Sequence, residues 1–151
     1  MAVAACGLFA VFGGTLAGES IGSWYAGLEK PWFLVPLRVF YLVGVLYYIL
    51  FAVVLYRVLV HVENRRERMR CLALVISVML LNELWNYWFF GLRSTLAGFL
   101  GIVVFLVPSA TLIVVLFRHE RRSGQVLVPY YSWALYDLAW TFESWRLNGG
   151  I

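Results

Sequence analysis

The chain has 151 residues, of which 63% are hydrophobic, 18% aromatic and 13% charged, and 12 Lys and Arg against 8 Asp and Glu give a net charge of +4; mean hydropathy is +0.83. Soluble domains carry about 45–50% apolar and about 25% charged residues, and at this length they bury only about 68–70% of what the unfolded chain exposes. A soluble core has no room for so much apolar surface, which excludes soluble catalytic, nucleotide-binding and zinc-finger readings and points to a bilayer.

Apolar runs at about 2–18, 39–56, 71–90, 96–117 and 126–145 are each long enough, at about 1.5 Å per residue, to cross a hydrocarbon core of about 30 Å. A lipid-exposed backbone must make its hydrogen bonds within the segment, so all five are expected to be helices. The expected fold class is an all-α integral membrane protein, one domain forming a five-transmembrane-helix bundle with an outer lid loop at 22–38. The first run lacks the preceding Lys or Arg of a signal peptide and is read as a span. Along it Ala2, Cys6, Ala10, Gly14 and Gly18 recur every four residues. Such a small-residue stripe permits close packing, within the bundle or against a second copy; Ala97 and Gly101 repeat it more weakly on the fourth span.

Charge sets the orientation. The connection after the second run holds Arg57, Arg65, Arg66, Arg68 and Arg70, and that after the fourth holds Arg118, Arg121 and Arg122; the other side has Lys30, Arg38, Arg93 and Arg146. The excess of positive charge belongs inside, which makes the N-terminus cytoplasmic and the C-terminus external. These basic stretches call for no nucleic-acid partner, and contact with anionic lipid headgroups accompanies the topology. Cys6 and Cys71 match no metal or redox spacing and read as small apolar residues, and His61 and His119 have no nearby ligand set. No internal repeat is visible, which disfavours repeat-built transporters.

Tryptophans gather on the outer side. Trp24 and Trp32 lie in the first outer connection, Trp85 and Trp88 close the third span, and Trp140 and Trp145 close the fifth; Trp133 sits about 18 Å below its helix end. A plain interfacial belt would occupy both faces. On the fifth span Trp133, Asp137, Trp140 and Ser144 share one helical face, and on the third Asn82, Asn86 and Phe89 share another, with Trp85 beside them and Glu83 one step round. Polar groups facing lipid are costly, so both faces should turn inward, with Glu83 and Asp137 at similar depth. Either carboxyl could serve a cavity or a buried hydrogen-bonded pair, and the two asparagines could bridge helices or touch a ligand.

The outer connection, with Trp24-Tyr25, Leu28-Glu29-Lys30-Pro31 and Pro36 to Phe40, the run from Leu81-Asn82 through Trp85 to Phe89-Phe90-Gly91 and Arg93, and Pro129-Tyr130, Trp133 and Leu147-Asn148 resemble, in order, the motifs of the tryptophan-rich sensory protein / translocator protein family, once called the peripheral benzodiazepine receptor. The resemblance covers about residues 23–148. It implies a five-helix bundle, commonly a dimer, that binds porphyrins and other flat hydrophobic ligands in a cavity beneath the first loop. Members are linked to tetrapyrrole and stress signalling, to sterol binding in animals and, in some bacteria, to light-dependent porphyrin breakdown. Carried over, the resemblance places Trp24 and Trp32 in the lid, Tyr48 on the second helix, Asn82, Trp85, Asn86 and Phe89 on the third, and Trp133 and Asp137 on the fifth.

The chain departs from the family pattern at several of these places. Gly44 stands where the family usually has a second-helix Trp that works with the one matching Trp133 in porphyrin breakdown, which argues against that activity. An acid, Asp137, replaces a small residue, Thr141 replaces an Asn, Val35-Pro36 replaces Pro-Pro, and the sterol motif is not recognisable.

Rings around a cavity suit a planar polarisable ligand, with stacking worth about 0.5–1.5 kcal/mol per pair beyond burial, and a few convergent polar groups set its orientation. The candidate ligand-binding set is Trp24, Trp32, Tyr48, Asn82, Glu83, Trp85, Asn86, Phe89, Trp133, Asp137 and Trp140, with no metal and no required cofactor; porphyrin or haem enters as ligand. The expected function is a membrane receptor or binding protein for porphyrin-like or other flat hydrophobic molecules, in tetrapyrrole sensing or transport, and the expected partners are the lipid bilayer, that small molecule and a second copy in a homodimer. Other classes are a proton-coupled small-molecule transporter using Glu83 and Asp137, a light-dependent porphyrin-degrading enzyme, and a structural membrane subunit.

Overall fold

A computed structural model describes residues 21–149; the expected first span and its small-residue stripe lie outside them. Among the described residues there is helix and loop but no strand. After a short π-helical turn, Ile21–Tyr25, come four helices: α1 (Leu37–His61), α2 (Arg65–Asn86), which continues through a π-helical turn at Tyr87–Gly91, α3 (Thr95–His119) and α4 (Arg121–Asn148). Each helix packs on the next and α4 returns to α1, closing a ring. The connections are short, so neighbours run antiparallel.

Local chemistry fixes the boundaries. Pro36 precedes α1 at φ −58°, already set for a helical start. The Asn64 side chain accepts hydrogen bonds from the amides of Arg66 (2.9 Å) and Glu67 (3.2 Å), Ser94 accepts from Ala97 (3.2 Å), and Glu120 accepts from Ser123 (2.6 Å). Each satisfies amide donors that a helix start leaves open. Gly149 ends α4 in the left-handed region at φ 67°, a conformation glycine adopts without steric penalty. The helices outrun the apolar spans because Arg and Glu are good helix formers, and the caps stand beyond them. Thus Arg65 to Arg70 form the first turns of α2, and the connection between α3 and α4 shrinks to Glu120.

Among the described residues three helical stretches are long and apolar enough to cross a membrane: Leu37–His61, Arg65–Gly91 and Thr95–His119. The fourth, α4, has the length, at 28 residues, but Arg121, Arg122, Ser123, Asp137, Thr141, Glu143 and Ser144 dilute its hydropathy. Several of these, including Ser123, Thr141 and Ser144, are buried against the bundle. The burial pattern inverts that of a soluble protein: Val107 is 68% exposed, Glu83 only 1%.

Two clusters fill the interior. Toward the arginine-rich end Phe51, Val54, Val58, Cys71, Val75, Leu112, Leu116 and Leu127 pack in a mainly aliphatic cluster. Toward the lid end Tyr25, Phe89 and Trp140 form the centre of a cluster that draws in Trp24, Phe33, Phe40 and Trp85. Glycines on α3 let these rings lie close: a Cβ at Gly98 would stand 2.2 Å from Phe89 Cδ2, and one at Gly101 2.7 Å from Trp88 Cε3.

Candidate functional site

A cavity of about 370 Å³ opens between α1, α2 and α4 at the lid end, within the range of about 300–1,000 Å³ typical of small-molecule sites. From α1 it is lined by Phe40, Tyr41, Gly44, Tyr47 and Tyr48, from α2 and its π turn by Asn82, Trp85, Asn86 and Phe90, and from α4 by Tyr130, Trp133, Asp137 and Trp140; Tyr25 reaches it from the lid side. On α4 the spacing of Tyr130, Trp133, Asp137 and Trp140 turns all four the same way.

The rings meet edge to face. Phe40 lies 5.5 Å from both Trp133 and Trp140, at 76° and 78°; Trp85 meets Trp140 at 6.2 Å and 89°. Such T-shaped contacts are favourable but do not tile space, and the hollow lies among them. Polar side chains are tied down in the wall. Trp85 Nε1 donates to the Gly98 carbonyl (2.9 Å), and Trp140 Nε1 donates to Asp137 Oδ1 (2.7 Å). Tyr130 donates its hydroxyl hydrogen to Asn82 Oδ1 (3.1 Å) and Tyr48 donates to Glu83 Oε1 (2.7 Å). The two carboxyls therefore have different keepers, Glu83 in Tyr48 and Asn82, Asp137 in Trp140.

Seven of the eleven candidate residues, Tyr48, Asn82, Trp85, Asn86, Trp133, Asp137 and Trp140, line the cavity. The other four stand elsewhere. Trp32 is 93% exposed and touches Phe33 edge-on at 5.7 Å, the placement of an interfacial anchor. Trp24 packs on Phe89 at 5.3 Å. Phe89 is wholly buried and backs the wall, stacked on Trp85 at 5.6 Å and 7°, while Glu83 sits behind Tyr48. Sequence reasoning missed Tyr130, one turn before Trp133 on the same stripe, and Phe40 and Tyr47, which share a face with Tyr48 and Gly44; extending each stripe one turn finds them. Gly44 itself lines the cavity, and a Cβ there would meet nothing within 4 Å among the described residues.

Residues 26–36 cross the lid end and are latched twice. Asn148 and Glu29 exchange two hydrogen bonds: the Glu29 amide donates to Asn148 Oδ1 (3.0 Å) and Asn148 Nδ2 donates to the Glu29 carbonyl (2.9 Å). The Val35 amide donates to the Tyr136 hydroxyl oxygen (3.0 Å). Lys30 Nζ bonds the carbonyls of Ala26 and Leu28 (both 3.1 Å) and lies 5.2 Å from the centre of the Tyr25 ring.

At the other end Arg57 pairs with Glu120 through two hydrogen bonds of 2.7 and 3.1 Å. That guanidinium, helped by the Ser123 amide, holds the Glu120 carboxyl down at about 2.

Comparison with known proteins covers the same elements. The family model for the TspO/MBR family matches residues 2–146. A tryptophan-rich protein TspO of Archaeoglobus fulgidus is 34% identical over 137 residues, spanning 90% of this chain and 87% of the relative. A tryptophan-rich sensory protein of Cereibacter sphaeroides is 30% identical, with 97% and 88% covered, and protein CrtK of Rhodobacter capsulatus is 31% identical, with 95% and 94% covered. The likeness runs through lid, cavity wall and basic end alike, and the chain belongs to the TspO/MBR family.

Proposed function

We propose that this membrane protein is a receptor for a flat hydrophobic molecule, porphyrin-like in shape, held in the cavity between α1, α2 and α4 and covered by residues 26–36. The observation that carries this reading is a hollow of about 370 Å³ walled by Phe40, Trp85, Trp133 and Trp140, with Asn82, Asn86 and Asp137 also in its lining. Each ring stacked on a planar guest adds about 0.5–1.5 kcal/mol beyond area burial, and Asn82, Asn86 and Asp137 orient it. The sensory part of the reading is supported by the name of the Cereibacter sphaeroides relative. The proposal includes five spans, the first formed by residues 2–18, with the arginine-rich end in the cytoplasm, and assembly as a homodimer.

The test is a titration of purified protein with protoporphyrin or haem, followed by tryptophan quenching. Saturable quenching, weakened by Trp133→Phe and Asn82→Ala, supports the pocket; saturable quenching that both variants leave unchanged contradicts it.

A further inference from the structure

The hydrogen bonds of the cavity wall have a direction. Four of its donors, Trp85 Nε1, Trp140 Nε1 and the hydroxyls of Tyr48 and Tyr130, point their hydrogens at protein acceptors. The lining amides, Asn82 Nδ2 and Asn86 Nδ2, likewise donate to Glu83 Oε1 (3.4 Å) and to the Asn82 carbonyl (3.2 Å), and Asp137 Oδ1 takes one indole hydrogen. Among the described residues lining the cavity, Asp137 is the single Asp, Glu, Lys, Arg or His. The segment 1–20 contains no Lys, Arg or His, so it has no side-chain cation to bring to the cavity.

From this aromatic lining with one acid and no side-chain cation we propose that the cavity of this chain selects flat aromatic molecules carrying a positive charge, such as a protonated ring amine, with Asp137 as the group that receives the charge. The inference rests on the reading of the cavity as a ligand site and names the charge class of the ligand. A charge taken into a low-dielectric site must be paired or hydrogen-bonded to be tolerated. A cation finds that pair in Asp137. A carboxylate-bearing guest finds no side-chain cation among the described lining residues and meets an acid there. Lys30 already lies over Tyr25 with its hydrogens on two backbone carbonyls.

The experiment compares three probes that share one ring system and differ in charge: 9-aminoacridine (cationic at neutral pH), acridine (neutral) and acridine-9-carboxylate (anionic). Each is titrated into the purified full chain in an uncharged detergent, read by tryptophan quenching and competed with protoporphyrin. The cation is expected to bind at least about tenfold more tightly than the anion, as a close charge pair provides, and Asp137→Asn, which keeps an acceptor for Trp140, is expected to collapse the ranking. If Asp137→Asn does not fold, the wild-type ranking decides alone. Equal affinities, a tighter anion, or a ranking that persists in Asp137→Asn overturns the inference and leaves the pocket standing. Binding of protoporphyrin without any acridine also overturns it, and absence of binding by all four compounds removes the ligand-site reading itself.

Discussion

The two ends of the bundle use different side chains for different ends. At the arginine-rich end, Val54, Val58, Val75, Leu112 and Leu116 interdigitate, because branched aliphatic chains fill space at crystal-like density. At the lid end, most rings meet edge to face, and Trp85, Trp140, Tyr48 and Tyr130 have an N–H or O–H fixed to a protein acceptor, so they stand as walls. The first arrangement holds helices together; the second holds them apart around a hollow. Stability and binding should therefore be separable by mutation.

The largest expected effect is on stability alone. Leu116→Ala, at a side chain with no exposure, should cost about 2–5 kcal/mol in reversible unfolding in detergent, with ligand affinity per folded molecule unchanged. Next is the ion pair at the same end. Arg57→Ala removes charged hydrogen bonds worth about 1.5–3 kcal/mol. The Glu120 carboxyl lies at about 2 in the folded chain against an ordinary value of 4.5. A carboxyl lowered on folding binds its proton more readily when unfolded, so its stabilisation is complete above 4.5 and fades as pH falls from 4.5 toward 2. Thermal melts over that range should show the loss in the wild type and a flatter profile in Arg57→Ala.

The converse is expected at the lid end. Gly44→Trp puts an indole where, among the described residues, a Cβ meets nothing within 4 Å, so the cavity shrinks while Tm stays near that of the wild type. Affinity for a flat ligand should fall by at least about tenfold; unchanged affinity would show that the guest does not occupy this hollow. The smallest effect belongs to Asn148→Ala, which releases one latch of residues 26–36. An exposed pair contributes toward the low end of about 0.5–1.5 kcal/mol per bond, so ligand release should quicken a few-fold in stopped-flow measurements without a shift in Tm.

The sequence carried some of these features more plainly than others. The helical period placed Trp133, Asp137 and Trp140 on one face and Asn82 and Asn86 on another, and both faces turn to the same hollow, because polar and aromatic stripes on an apolar helix have one favourable direction. The lid was harder to read. The direction of Trp32 follows from latches whose partners lie 119 and 101 residues away, beyond the reach of local propensity. The π-helical turn at Tyr87–Gly91 is likewise bound up with Phe89 seating against Gly98 and carries no local signal of its own. Burial of Glu83 behind Tyr48 depends on a hydrogen bond between helices that periodicity on α2 alone does not contain.

Photo-crosslinking of the full chain with a flat azide-bearing aromatic, followed by peptide mass spectrometry, tests the site most directly. Label confined to segments 37–48, 82–90 and 130–140, and removed by competing ligand, is the result this account predicts. Label spread over the lipid-facing positions of segments 53–60 and 100–107, and indifferent to competitor, would contradict it.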